Sequence, residues 1–222
     1  MHTILALTFA LFFMIFAASS AISLDQPCVD TGEAGVRLRA VTALIDNLPE
    51  LKTKTDPALK ATLKEIYVEL VKLNLEKPTS ADVYFQMARY YRYKSNNWSV
   101  MKHLDKALFF TPLHVNALIM KGDIFAERFR ENFLSGFEDS YKRAQKAYEA
   151  ALKADGIAKE VVADIYVRLG DLNDIYELPV KKAEAREYWK KAVDSAPGGA
   201  ASTAALERLR RLSKAADAGG GA

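Results

Sequence analysis

Apolar side chains recur along this chain at intervals of three and four residues, with polar and charged side chains filling the positions between them. Between Ala81 and Tyr93 the apolar positions are Tyr84, Met87, Ala88 and Tyr91, which form one face of a helix. The polar run "KSNN" interrupts the pattern, and Val100, Leu104, Ala107 and Leu108 resume it before Pro112, which cannot continue a helix. The spacing therefore predicts two amphipathic helices joined by a tight turn over 81–114. A second pair follows over 115–156. Leu118, Gly122 and Phe125 lie in its first helix, which the row Phe125, Phe129, Phe133 extends to about Gly136; Ala144, Tyr148 and Ala151 lie in its second. A third pair over 163–197 uses Tyr166, Leu169 and Gly170, then Ala185, Trp189 and Ala192, with Pro179 in or near the turn. Runs of alternating apolar and polar residues, the mark of a strand, are absent.

The second helices share a ten-residue phrase: "HLDKALFFTP", "AYEAALKADG" and "YWKKAVDSAP". In each, a large residue (Leu104, Tyr148, Trp189) precedes an alanine (Ala107, Ala151, Ala192) by three positions, and Pro or Gly closes the phrase. Upstream, Leu59, Leu63, Ile66, Leu70 and Leu73 make a continuous apolar face that ends at Pro78, 34 residues before Pro112. Together with a helix near 36–48 this reads as a degenerate first unit over 35–78. Downstream, a helix over 203–215 fits the terminal cap that a stack of repeats needs, and 217–222 reads as a disordered tail.

Helical hairpins with a small residue in the first helix and Ala and Pro in the second resemble the tetratricopeptide repeat, a unit of about 34 residues. The matching positions in the first full unit are Tyr84, Met87, Ala88 and Tyr91, then Val100, Leu104, Ala107 and Pro112. The resemblance implies an all-α, tetratricopeptide-like helical-hairpin solenoid of three to four repeats with a C-terminal capping helix, over 35–216. The alternative to it is an irregular helical bundle.

Before the repeats, residues 1–23 carry no Lys, Arg, Asp or Glu, and the apolar run from Ile4 to Ala18 is followed by small residues. This fits a signal peptide or an uncleaved membrane anchor over 1–21, joined by a linker over 22–34. The expectation is export, to the periplasm or to the inner-membrane face turned towards it. The single cysteine, Cys28, excludes an intramolecular disulfide and reads as an incidental thiol.

Composition narrows the function. Half the residues are hydrophobic and the formal charge is only +3 on 31 basic and 28 acidic side chains, so there is no basic excess of the kind nucleic acid requires. The three histidines, His2, His103 and His114, form no zinc motif, and there is neither a nucleophile elbow nor a glycine-rich phosphate loop. No enzyme activity, cofactor or metal is expected.

Binding is the function that the resemblance implies, since first helices of successive tetratricopeptide repeats line a groove that holds a protein segment. The groove positions it gives here are Phe85, Arg89 and Arg92 in the first full unit, Ile119 and Asp123 in the second, and Val167, Arg168 and Asp171 in the third. Relatives that clamp a C-terminal carboxylate use Lys and Asn at sites that here hold Phe85, Arg89, Met120, Asp164 and Arg168. Only the last keeps the basic character expected there, so a tail clamp of that type is not implied. The run "ARYYRYK" adds Tyr93: Arg and Tyr are enriched at binding hot spots, so Arg89, Arg92 and Tyr93 form a candidate reader of an acidic partner. The alternative is that Tyr91 is core, Tyr90 packs against a neighbouring repeat and the basic residues are solvated.

These readings combine into a non-catalytic scaffold or assembly factor of the bacterial cell envelope, with a protein partner in the groove. Envelope members of the family serve cytochrome maturation, pilus biogenesis and outer-membrane assembly. The alternative is a small-ligand-binding accessory protein of a solute transporter, for which Phe125, Phe129 and Tyr148 would line an enclosed pocket. Residues 1–30 fused to a reporter active only outside the cytoplasm should export it; a silent reporter, with the full-length chain soluble in the cytosol, refutes export.

Overall fold

The computed structural model describes residues 32–48, 56–131, 138–176 and 178–219. The expected signal or anchor over 1–21, most of the linker, Cys28, and the extension of the second unit's first helix beyond 131 fall outside them. The described residues form nine α-helices and no strand: α1 (Glu33–Asp46), α2 (Asp56–Glu76), α3 (Ala81–Tyr93), α4 (Asn97–Phe110), α5 (Val115–Glu131), α6 (Glu138–Ala151), α7 (Lys159–Asp174), α8 (Pro179–Ser195) and α9 (Ala200–Gly219).

Local chemistry sets the ends. The Ser80 hydroxyl accepts from the Val83 N–H, and the Asn96 side chain accepts from the Ser99 N–H at 3.0 Å, so each caps the helix that follows it. Between α3 and α4 the chain reverses through Ser95, at a φ of 54°. Gly156 and Gly198 take φ values of 70° and 80° just beyond α6 and α8, a conformation that glycine adopts without a steric cost. Pro179 occupies the first turn of α8, where its missing N–H would have no partner in any case. His114 works as a cap from outside its helix. Its Nδ1 accepts from the Ala117 N–H at 3.2 Å, so its Nε2 carries the proton and donates to Asp82 at 3.0 Å, tying the start of α5 to that of α3.

Packing is sequential. The most extensive contacts are α3 with α4, α5 with α6, and α7 with α8, followed by α8 with α9 and α1 with α2; each hairpin also touches the helix before or after it. The core is correspondingly a row of three clusters: one across α1–α4 reaching Ala117 and Ile124, one across α5–α7, and one across α7–α9. This is the quasi-one-dimensional architecture of a helical-hairpin solenoid. The last helix differs from its expected span: α9 starts at Ala200 and runs to Gly219, so 217–219 are helical rather than tail. The stretch "AADA" there is rich in the strongest helix former.

Within each hairpin the repeated phrase has a definite job. The large residue of the second helix faces a small residue of the first. The ring of Tyr148 lies over Gly122 and that of Trp189 over Gly170, so close that a Cβ on either glycine would overlap the ring. Both rings are 2% exposed. In the first full unit the corresponding residues are smaller and larger by one step: Leu104 sits with Ala88 in the same core, both fully buried. The two aromatic residues are thus paired with glycine, and the smaller Leu104 goes with alanine.

Gly170→Ala tests this matching, because two effects oppose. Helix propensity alone favours Ala over Gly by about 1 kcal/mol. Overpacking against a ring that cannot move costs about 1–3 kcal/mol, so the variant should be less stable in urea titration. In a Trp189→Leu background, which copies the Ala88–Leu104 pair, the same change should become neutral or stabilising. A Gly170→Ala variant as stable as the parent or more so in the Trp189 background would show that the notch is not close-packed.

Candidate functional site: the face of the first helices

Four ion pairs link the helices α1, α3, α5, α7 and α9 in succession. Arg89 of α3 reaches back to Asp46 of α1 and also donates to the Gln86 amide oxygen at 3.1 Å. Arg92, one turn on, binds Glu127 of α5 through both carboxylate oxygens. Arg168 of α7 binds Asp123 of α5 and donates to its own Asp164 at 3.0 Å. Arg208 of α9 makes a two-pronged pair with Asp171 of α7, its Nη2 donating at 2.7 Å. Each interface between successive first helices thus carries one arginine–carboxylate link.

The two C-terminal links are joined to the hairpin cores. Asp123 and Asp171 directly follow the notch glycines, and the polar tip of the ring lying over each notch reaches them: Tyr148 Oη donates to Asp123 at 2.8 Å, and Trp189 Nε1 donates to Asp171 at 3.1 Å. One aspartate therefore gathers a donor from its own hairpin and an arginine from the next. Burial lifts the Asp123 carboxyl above the usual carboxylate range, although Arg168 and the Tyr148 hydroxyl pull the other way. Burial likewise pushes the Tyr148 phenol up, and the neighbouring Asp123 adds to that. For Arg168, burial disfavours the cation but the carboxylates of Asp123 and Asp164 outweigh it, so the guanidinium is held charged more firmly than usual.

Between these links lies a cleft of about 290 Å³ lined by residues of α3, α5, α6 and α7. It brings together Arg92, Asp123, Arg168 and Asp171 of the residues expected to form the groove. The others lie elsewhere. Arg89 is turned to Asp46. Phe85 packs on the first core and over the His114 ring at 5.2 Å, covering the α5 cap. Tyr93 and Ile119 are half-buried against the first and second cores. Val167 is a correction: it is 7% exposed and belongs to the core between α7, α8 and α9. The capping helix covers that side of α7 with Ala205 and Leu209, so the position is not open groove.

The expected reader of an acidic partner is also changed in kind, since Arg89 and Arg92 both hold carboxylates of this chain. The cleft residues that sequence reasoning did not single out are Glu127, Arg130, Ala126 and Leu172, with Tyr148 entering from α6. Arg130 is exposed and has no ion-pair partner among the described residues. A sequence signal for the links did exist: the pairs Gly122-Asp123 and Gly170-Asp171 repeat in register, as do Arg168-Leu169 and Arg208-Leu209.

Among the described residues, the three rings named for an enclosed ligand pocket are core side chains. Phe125, Phe129 and Tyr148 pack into the second core, with Phe129 against Tyr141 and Tyr176 at 5.6 and 5.1 Å, and only Tyr148 reaches the cleft. Among the described residues no three His, Cys, Asp or Glu side chains come together to hold a metal ion, and no helix is long and apolar enough to cross a membrane.

Asp171→Ala should cost about 1 kcal/mol, from a half-exposed ion pair and the Trp189 N–H left without an acceptor. Asp139→Ala removes an exposed pair with Arg143 on α6 and should stay within about 0.5 kcal/mol of the parent. Hydrogen exchange should locate the Asp171 effect in α9; an even loss of protection along the chain would show that this link does not hold the capping helix.

No family model and no curated protein sequence matches the chain. Among solved structures it is similar to one from the functional characterization of Pseudomonas aeruginosa PilF, at 19% sequence identity with a TM-score of 0.54, over 79% of this chain and 72% of that one. The likeness is one of fold: an all-α, tetratricopeptide-like stack of helical hairpins.

Proposed function

We propose that the chain is a non-catalytic scaffold of the bacterial cell envelope that binds a protein segment in the cleft between α3, α5 and α7. The observation that carries this is the composition of the cleft. Its charges are held in ion pairs within the chain, Asp171 by Arg208 of α9, except at Arg130, which has no such partner among the described residues, and Met120, Ala126 and Leu172 supply apolar surface beside them. Such a site has one free cation and room for one or two apolar side chains, which suits a segment with an apolar anchor next to a carboxylate. A volume of about 290 Å³ lies just below the range of pockets for whole organic ligands, about 300–1,000 Å³. The uncharged apolar run at Ile4–Ala18 supports the envelope as the place of action.

Photo-crosslinking from position 120 in cells, followed by mass spectrometry, identifies the partner. Arg130→Ala should then weaken binding by about 2 kcal/mol, roughly thirtyfold, as hot-spot side chains do. Because Arg130 is exposed, the same variant should unfold within about 0.5 kcal/mol of the parent. A partner bound equally well by the Arg130→Ala variant would sink the cleft as the binding site.

A further inference from the structure

The three full hairpins follow one pattern, so their second helices can be compared position by position, with Leu104, Tyr148 and Trp189 as equivalents. At two outward positions the α6 hairpin has Lys142 and Lys153, and α8 has Ala183 and Asp194. At those positions α4 has Trp98 and Phe109, which are 72% and 78% exposed. The rings lie three turns apart on one face of the helix, about 16 Å along its axis at about 1.5 Å per residue.

Exposed Lys102 and Lys106 lie between them. Lys102 Nζ stands 5.1 Å from the Trp98 ring centroid and Lys106 Nζ 5.0 Å from that of Tyr84, and neither has an ion-pair partner among the described residues. The one carboxylate of α4, Asp105, is taken by Lys121 of α5 at 2.7 Å. The outer face of α6 shows what a solvated face looks like in this fold: Glu138 pairs with Lys142 and Asp139 with Arg143 along the helix. On α4 that pattern is replaced by two aromatic rings and two ammonium groups that no carboxylate of the described residues pairs.

A single exposed ring needs no explanation. Two rings with lysines set between them match the interfacial layer of a bilayer, where aromatic rings sit at headgroup depth and lysine stems lie on apolar surface with their heads at the lipid phosphates. A protein covering this face would have to bring carboxylates for both ammonium groups or bear the cost of burying them. From this the geometry points to a membrane-docking face: the outer side of α4 lies on an anionic lipid surface, with Trp98 and Phe109 at the headgroup boundary and Lys102 and Lys106 on lipid phosphates. It depends neither on the cleft nor on the fate of the N-terminal segment.

The chain has two tryptophans, and Trp189 is buried, so Trp98 reports this face alone. The full-length protein is titrated with vesicles of phosphatidylcholine, with and without phosphatidylglycerol, while tryptophan emission is followed; Trp98→Phe assigns the signal. Emission should move to shorter wavelength, and be quenched by brominated lipid, only with the anionic vesicles. Each lysine near such a surface contributes about 1 kcal/mol, so Lys102→Gln with Lys106→Gln should require about thirtyfold more anionic lipid for half the shift. Unchanged Trp98 emission on anionic vesicles overturns the proposal, even if the protein floats with them, since another part would then be the contact. An equal shift on neutral vesicles overturns the role of the lysines. A shift with lipid-free envelope protein but not with vesicles assigns the face to a protein partner instead.

Discussion

The contact on which the rest of this structure depends is a ring set into a notch. Tyr148 over Gly122 and Trp189 over Gly170 fix how close the two helices of a hairpin come, and the fit is tight enough that no Cβ can be added at either glycine. Close packing of this kind transmits a change at one residue to its neighbours because the interior has little free volume. The rings also do something that a leucine cannot. Their polar tips pass the notch and donate to Asp123 and Asp171, and those aspartates hold Arg168 and Arg208 of the following first helix. Packing inside one hairpin thereby sets the position of the next. The Leu104 hairpin has no such tip, and its link to the following first helix has the opposite polarity: Arg92 of α3 supplies the cation and Glu127 of α5 the carboxylate.

This arrangement changes what the face of the first helices can recognise. A row of exposed arginines and aspartates would attract charged partners broadly. Here most of that charge is spent on neighbouring helices, at half-exposed pairs whose net stabilisation is modest. What they contribute is register between repeats, and the cleft they leave is nearly neutral. In the binding mode we propose, recognition falls to the few groups left over, Arg130 and the apolar surface beside it. The outer face of α4 has the reverse character, with apolar rings and lysines that no carboxylate of the described chain answers. No residue belongs to both: the cleft is lined from α3, α5, α6 and α7, whereas Trp98 and Phe109 stand on α4.

By itself the sequence determined the helices and their pairing, because helical periodicity and a recurring phrase are local properties. The apolar spacing of Tyr84, Met87 and Tyr91 needs no partner to be read, and neither does the break at "KSNN". It also located the alanine and glycine notches. Tertiary structure alone decided which side each first-helix residue faces. Val167 and Asp171 are one turn apart, and only the covering of α7 by α9 makes one of them core and leaves the other at the cleft. In the same way, Arg89 and Arg92 look like free cations in sequence because their carboxylates, Asp46 and Glu127, lie 43 and 35 residues away. A charge is defined by what surrounds it in space, and separations of that length are closed only when the hairpins stack.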